Sequence, residues 1–281
     1  MSQALGIIAG SGPLPVLLAG QCRSQGRDVF IAGIIGAASP DIASFPHQWI
    51  GLGAVGTLMR ALRQNKCEEL VFIGAVRRPE LRHLKLDWGG LRFLPRYARA
   101  ALGGDDRLFR ALVSEFERQG FRITGAHEYL TDLVAPAGVL GAVQPQPEDQ
   151  ADIVRARDVV LAMGALDIGQ GVVVRRGLVL AVEAAEGTDA MLVRCAGLSS
   201  GPPTRHGRHG ILMKLPKPGQ ERRVDMPALG ITTLRLAAEA GLAGIAFEAG
   251  GALLVDGPGM IREADALNMF LIGIDPNGPS V

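Results

Sequence analysis

Ala4-Leu5-Gly6-Ile7-Ile8-Ala9-Gly10-Ser11-Gly12-Pro13-Leu14-Pro15 is the stretch whose reading sets the fold. An apolar run of strand length breaks into a glycine turn, and the prolines that follow suit the first turn of a helix, where a missing N–H costs little. Leucines then recur at helical spacing towards Cys22. Working outward, Asp28–Ile35 reads as a second buried strand, Gly56–Arg63 as a helix and Glu69–Ala75 as a third strand. Asp105–Arg118 is an amphipathic helix with acids at its start and Gly120 past its end, and Phe121–Thr124 supplies another strand. Strands alternating with helices predict a parallel sheet with crossover helices, the doubly wound α/β class.

Prolines, glycines and glutamines cluster over residues 135–152, which reads as a linker between an N-terminal domain (1–134) and a second, mixed α/β domain (153–281). In that second half, Ile153–Leu166 has a helical pattern. Gly171–Glu183 forms two strand runs about Arg176-Gly177, a hairpin. Hairpin geometry brings Asp167 and Gln170 near Glu183 and Glu186, and Thr188-Asp189 then head a helix over 190–196. Later runs predict a helix at 232–240, strands at 242–248 and 251–256, a helix at 261–268 and a last strand to Ile274.

Lys-Leu-Pro-Lys-Pro-Gly-Gln-Glu-Arg-Arg-Val-Asp-Met-Pro-Ala-Leu-Gly, residues 214–230, is too rich in breakers for helix interior or central strand and reads as an exposed, ordered loop. Lys214, Lys217, Arg222 and Arg223 can neutralise phosphoryl oxygens, and Asp225 can hold a divalent cation or orient a water. The helix N-terminus at Thr188-Asp189 and the turn Gly10-Ser11-Gly12 add N–H donors suited to an anion. Capping alone also accounts for Thr188. Arg77-Arg78 close the third strand, where open α/β sheets bind ligands.

Several classes are disfavoured. Lysine plus arginine (29) nearly balance aspartate plus glutamate (28), so nothing points to nucleic acid. Three scattered cysteines form neither a disulfide framework nor a Cys-x-x-Cys zinc site and fit a reducing cytoplasm. No signal peptide and no spanning apolar run is visible. A nicotinamide-dependent oxidoreductase is opposed by Pro15 at the third glycine position and by Gly33 where an acidic ribose ligand belongs. A non-catalytic nucleotide-sugar or lipid-binding protein stays open on the residues alone. Leu81–Gly104 mixes basic with large apolar residues, a composition that suits a lipid interface or packing against a partner, as in a homodimer.

Asp167-Ile-Gly-Gln170, Glu183-Ala-Ala-Glu-Gly-Thr-Asp189 and the 214–230 segment together resemble the signature of UDP-2,3-diacylglucosamine pyrophosphatases of the LpxI type. The resemblance implies a Rossmann-like N-terminal domain and a family-specific C-terminal domain, and the Gly10–Gly12 turn and the 214–230 loop can share one substrate only in a cleft between them, which is where the active site is expected. It implies a cytoplasmic, Mg²⁺-dependent enzyme of lipid A synthesis, and an amphiphilic substrate with no spanning segment in the chain predicts work at the inner-membrane surface. Water attacks the β-phosphorus of UDP-2,3-diacylglucosamine, giving UMP and 2,3-diacylglucosamine 1-phosphate. On this reading Asp225, Lys214 and Lys217 are catalytic. Gly10, Ser11, Gly12, Gln170, Thr188, Asp189, Gln220, Arg223 and Thr232 bind substrate, and Asp225, Glu186, Asp189 and Glu221 are the metal candidates. Glu221 stands where the family pattern carries an aspartate, keeping the charge on a longer arm.

Overall fold

A computed structural model describes residues 3–76, 86–92, 105–198 and 207–275. Arg77-Arg78 and most of the 81–104 stretch lie outside the described residues. The chain divides into two compact units, each taken by itself below: residues 1–131 with 221–225, and residues 132–220 with 226–281.

The first unit is a five-stranded parallel sheet ordered β3-β2-β1-β4-β5, built from β1 (Ala4–Ala9), β2 (Val29–Ile34), β3 (His47–Ile50), β4 (Cys67–Ile73) and β5 (Arg122–Ile123). Its helices are α1 (Leu14–Ser24), α2 (Val55–Gln64) and α3 (Asp105–Arg118). Every residue of β2 is buried and only Ala4 of β1 is partly exposed, as expected when helices cover both faces of a parallel sheet. The strand β3 is a finding, since His47-Gln-Trp-Ile50 is short and polar. It sits at the sheet edge with its two middle residues exposed, where alternation need not advertise burial. At Gly33, next to Trp49 of that strand, an added Cβ would lie 2.2 Å from Ile42 Cδ1, so a larger side chain there would require Ile42 to move.

The second unit holds a six-stranded mixed sheet ordered β6-β13-β11-β9-β7-β8. These strands are β6 (Gly138–Leu140), β7 (Gly171–Arg175), β8 (Leu178–Val182), β9 (Ile211–Lys214), β11 (Gly244–Glu248) and β13 (Phe270–Ile274). A short parallel pair, β10 (Ala228–Leu229) with β12 (Leu253–Leu254), lies apart from it. Its helices are α4 (Pro147–Ala165), α5 (Thr188–Ala196), α6 (Ile231–Glu239) and α7 (Gly257–Ala266). Side chains of successive strand residues point to opposite faces. Val172, Val174, Ile211 and Met213 therefore pack with Ile153, Ala156 and Val160 of α4, while Val173, Leu212 and Phe247 pack with Met191, Leu234 and Met260 of the other three helices.

The 135–152 stretch, read from sequence as a linker, contributes β6, paired antiparallel to β13, and the first turns of α4. The expected hairpin is present, with Arg176 (φ 50) and Gly177 (φ 77) both in the left-handed region that its tight turn demands. Among the described residues no helix is long and apolar enough to cross a membrane.

Candidate active site

Lys214 ends β9, in register with Gly171 of β7 and Phe247 of β11. Since β9 runs parallel to β11 and antiparallel to β7, Lys214 lies at the carboxyl end of the parallel pair, where open α/β sheets bind ligands. Its side chain is not solvated: Lys214 is 8% exposed, and its ammonium donates to Thr188 Oγ1 at 3.0 Å and towards the Ala228 carbonyl at 3.4 Å. Thr188 opens α5, and its hydroxyl donates in turn to Glu183 Oε2 at 2.8 Å, just past β8. Lysine, threonine and glutamate thus form one buried chain joining the ends of β9, α5 and β8. A buried ammonium is tolerable only with such partners, and an arriving phosphoryl group would complete its shell.

Beside this chain lies Gln170, whose main-chain carbonyl accepts from the Leu215 N–H at 3.0 Å. Its side-chain Oε1 is buried and has no hydrogen-bond partner. Leaving a buried acceptor so costs about 1–3 kcal/mol, a penalty that a ligand donor or a bound water removes.

The 214–230 segment, expected as exposed, is half-buried: Leu215, Pro216, Gln220, Pro227 and Leu229 are buried with Lys214. Lys217 Nζ pairs with Asp167 Oδ1 at 2.6 Å, and Asp167 adopts φ 55. Gln220 Oε1 accepts from the Lys217 N–H at 2.7 Å, so this amide braces the turn 217–220. Asp189 Oδ1 accepts from the hydroxyl of Thr233 at 2.9 Å, while Thr232, the expected ligand residue, is exposed one position earlier.

Residues 221–225 pack with the first unit. Val224 lies against its core, the Glu221 N–H donates to Asp106 Oδ1 at 3.1 Å, and Arg223 reaches Glu117 at 2.8 Å. Arg223 also grips both oxygens of Glu221, at 2.8 Å each, which holds that carboxyl below its ordinary pKa. Asp225 closes the turn with its N–H on the Glu221 carbonyl and is partly exposed.

In the turn after β1, the N–H groups of Gly10 and Ser11 donate to the carbonyls of Ile73 (2.9 Å) and Ala75 (2.8 Å). The turn after β4 presses against it, and a Cβ at Gly10 would lie 2.4 Å from the Gly74 carbonyl oxygen. Those two donors therefore close the β1–β4 end of the sheet rather than face a ligand. This argues further against a dinucleotide there.

The implied Mg²⁺ finds few partners of its own. Glu221 is held by Arg223 and Glu186 by Arg194 at 2.9 Å, so a cation at either would have to displace a guanidinium. Among the described residues no three histidine, cysteine or acidic side chains gather as a metal cage. The donor set fits an ion brought by substrate phosphates and met by one or two carboxylates, the usual habit of Mg²⁺.

The sequence reading placed Glu183 at the hairpin end without giving it a role. The signal lay in Gly169-Gln-Gly171, because both glycines pack directly on Glu183.

Comparison with known proteins agrees with this organisation. Residues 4–133 match the LpxI N-terminal domain and residues 136–272 the LpxI C-terminal domain. The chain is 48% identical over 273 residues to UDP-2,3-diacylglucosamine pyrophosphatase LpxI of Caulobacter vibrioides, covering 97% of this chain and 98% of that protein. With both domain types present in order and identity running almost end to end, this chain belongs to the LpxI family.

Proposed function

We propose that this chain hydrolyses the pyrophosphate of UDP-2,3-diacylglucosamine to UMP and 2,3-diacylglucosamine 1-phosphate, a step of lipid A biosynthesis. The observation that carries the reading is near full-length identity to a pyrophosphatase acting on that substrate. Lys214 and Lys217 neutralise phosphoryl oxygens, helped by the α5 N-terminus at Thr188-Asp189, where main-chain donors and the helix dipole favour an anion. Gln170 accepts a substrate N–H or O–H at its orphaned oxygen. Asp225 orients the attacking water towards the β-phosphorus, a task that suits an aspartate better than removing a proton from free water. Mg²⁺, when bound with the substrate, supplies charge neutralisation at the phosphates.

The substrate is amphiphilic, and we assign the protein to the cytoplasmic surface of the inner membrane. Trp88, 88% exposed, with the exposed Leu91 and Arg92, belongs to the basic, apolar stretch Leu81–Arg99 that suits a lipid interface. In this reading Trp88, Leu91 and Arg92 face lipid rather than a second copy of the chain.

Incubating the purified protein with UDP-2,3-diacylglucosamine and Mg²⁺ and measuring UMP tests the activity. Absence of UMP from the folded wild-type protein overturns it.

A further inference from the structure

We infer that Glu183 is a positioning residue, which fixes the Thr188 hydroxyl so that Lys214 is held in one place against the substrate's pyrophosphate. The inference rests on the pyrophosphatase reading above. A threonine hydroxyl has one proton to give and lone pairs to receive with. Glu183 Oε2 accepts the hydroxyl's hydrogen bond at 2.8 Å, which turns the lone pairs of Thr188 towards Lys214 Nζ, 3.0 Å away. Without the carboxylate the hydroxyl could rotate and donate elsewhere, and the ammonium would lose its short side-chain acceptor. The other contact, to the Ala228 carbonyl, is long at 3.4 Å. Lys214 would then be a mobile charge, and preorganisation is what makes a fixed charge effective on a developing anion.

The seat of Glu183 is built for this arrangement. A Cβ at Gly169 would fall 2.0 Å from the Glu183 carbonyl oxygen, and one at Gly171 would fall 2.4 Å from Oε2 itself. The Glu183 N–H also donates to the Gly171 carbonyl at 2.8 Å. Backbone alone thus lines the carboxylate on that side. The residue between the two glycines is Gln170, whose buried side-chain oxygen has no protein partner and can accept from a ligand beside the relay.

A double-mutant cycle on UMP release tests the relay. Glu183→Gln should lower kcat by about tenfold with little change in melting temperature, because the neutral amide is a weaker and less directional acceptor. Thr188→Val, which keeps the shape and removes the hydroxyl, should lower kcat at least as far. In the Thr188→Val background Glu183→Gln should then change kcat less than twofold, since the group it acts through is gone. Thr188→Ser should restore both the rate and the sensitivity to Glu183→Gln. Should Glu183→Gln fail to fold, Glu183→Asp, one methylene short of Thr188, enters the same cycle.

An equal loss from the Glu183 change in both backgrounds overturns the inference, as does a kcat within twofold of wild type for Glu183→Gln. If wild type binds UDP-2,3-diacylglucosamine without cleaving it, the functional reading fails alone and the four proteins are compared by Kd, with the same non-additivity expected. A wild-type protein that neither cleaves nor binds this lipid overturns both.

Discussion

Replacing Glu69 by glutamine should remove about 3 kcal/mol from the stability of the first unit at pH 7 and almost nothing at pH 2. Glu69 is buried on β4 and receives Arg27, Arg122 (2.7 Å) and the hydroxyl of Thr124. Burial pushes its carboxyl pKa up, but the Arg27 and Thr124 hydrogen bonds outweigh this and bring it from 4.5 down to about 2. A drop of that size corresponds to about 3 kcal/mol of preference for the ionised form in the folded state. Because the folded value lies below the unfolded one, this stabilisation is complete above pH 4.5 and disappears as pH falls from there towards 2. Glutamine mimics the protonated acid, so wild type and variant should converge over that window. The assay is convenient because both tryptophans, Trp49 and Trp88, belong to the first unit, so urea unfolding followed by indole fluorescence reports on it. A variant within 0.5 kcal/mol (roughly the spread of ordinary surface substitutions) at pH 7, or a gap unchanged at about pH 2.5, refutes the account.

Asp225→Ala should abolish UMP release by several orders of magnitude, on the order of 4 kcal/mol or more in barrier, while a lipid-binding assay still finds substrate bound. Gly171→Ala should drive Glu183 Oε2 out of its seat, where an added Cβ would come within 2.4 Å. The expected loss is about 1–3 kcal/mol in melting experiments together with reduced turnover, and unchanged stability and rate would count against the packing described. Excess EDTA should stop turnover and added Mg²⁺ restore it, whereas full activity in chelator would dismiss the cation. Asp87→Ala should lower the stability of the first unit by about 1–2 kcal/mol in the same fluorescence assay, because Asp87 caps α2 by accepting from the N–H groups of Gly56 and Thr57 and from the Thr57 hydroxyl.

The parallel sheet was legible because β1 and β2 are buried almost throughout and read as near-continuous apolar runs, and because β4, after two glutamates, runs apolar from Leu70 to Ile73 before a glycine turn. The edge strands β3 and β6 were not, since an edge needs few apolar residues and β6 hides among prolines and glycines. The last helix starts at Gly257 rather than Ile261. Its Gly-Pro-Gly opening reads as a breaker until Asp256 is seen capping it from the left-handed region, with Oδ1 accepting from Gly259 N–H at 3.1 Å. At the site, the charge of Lys214 and the hairpin that sets Gln170 and Thr188 near Glu183 were readable, whereas substrate roles for Gln170 and Thr188 came only with the family resemblance. Burial was not legible, because a lysine followed by prolines looks solvated until its ammonium is found under Thr188. The pairing of Glu221 with Arg223 was readable two residues apart, yet an acidic side chain in a phosphate motif invites a metal before it invites its neighbour.

The short turn Glu221–Asp225 packs with residues 1–131 although the chain on either side of it belongs with the other unit. The first unit is therefore discontinuous in the chain, and no single scission separates the two units intact. A fragment beginning at residue 132 would retain Asp225, but on a turn deprived of the surface that seats Val224 and of the Asp106 and Glu117 carboxylates that tether it. The complementary fragment would keep an empty socket. Chimeras between relatives should for the same reason exchange the turn together with the N-terminal half, since a swap at one junction would graft the Asp225 turn onto a foreign foundation.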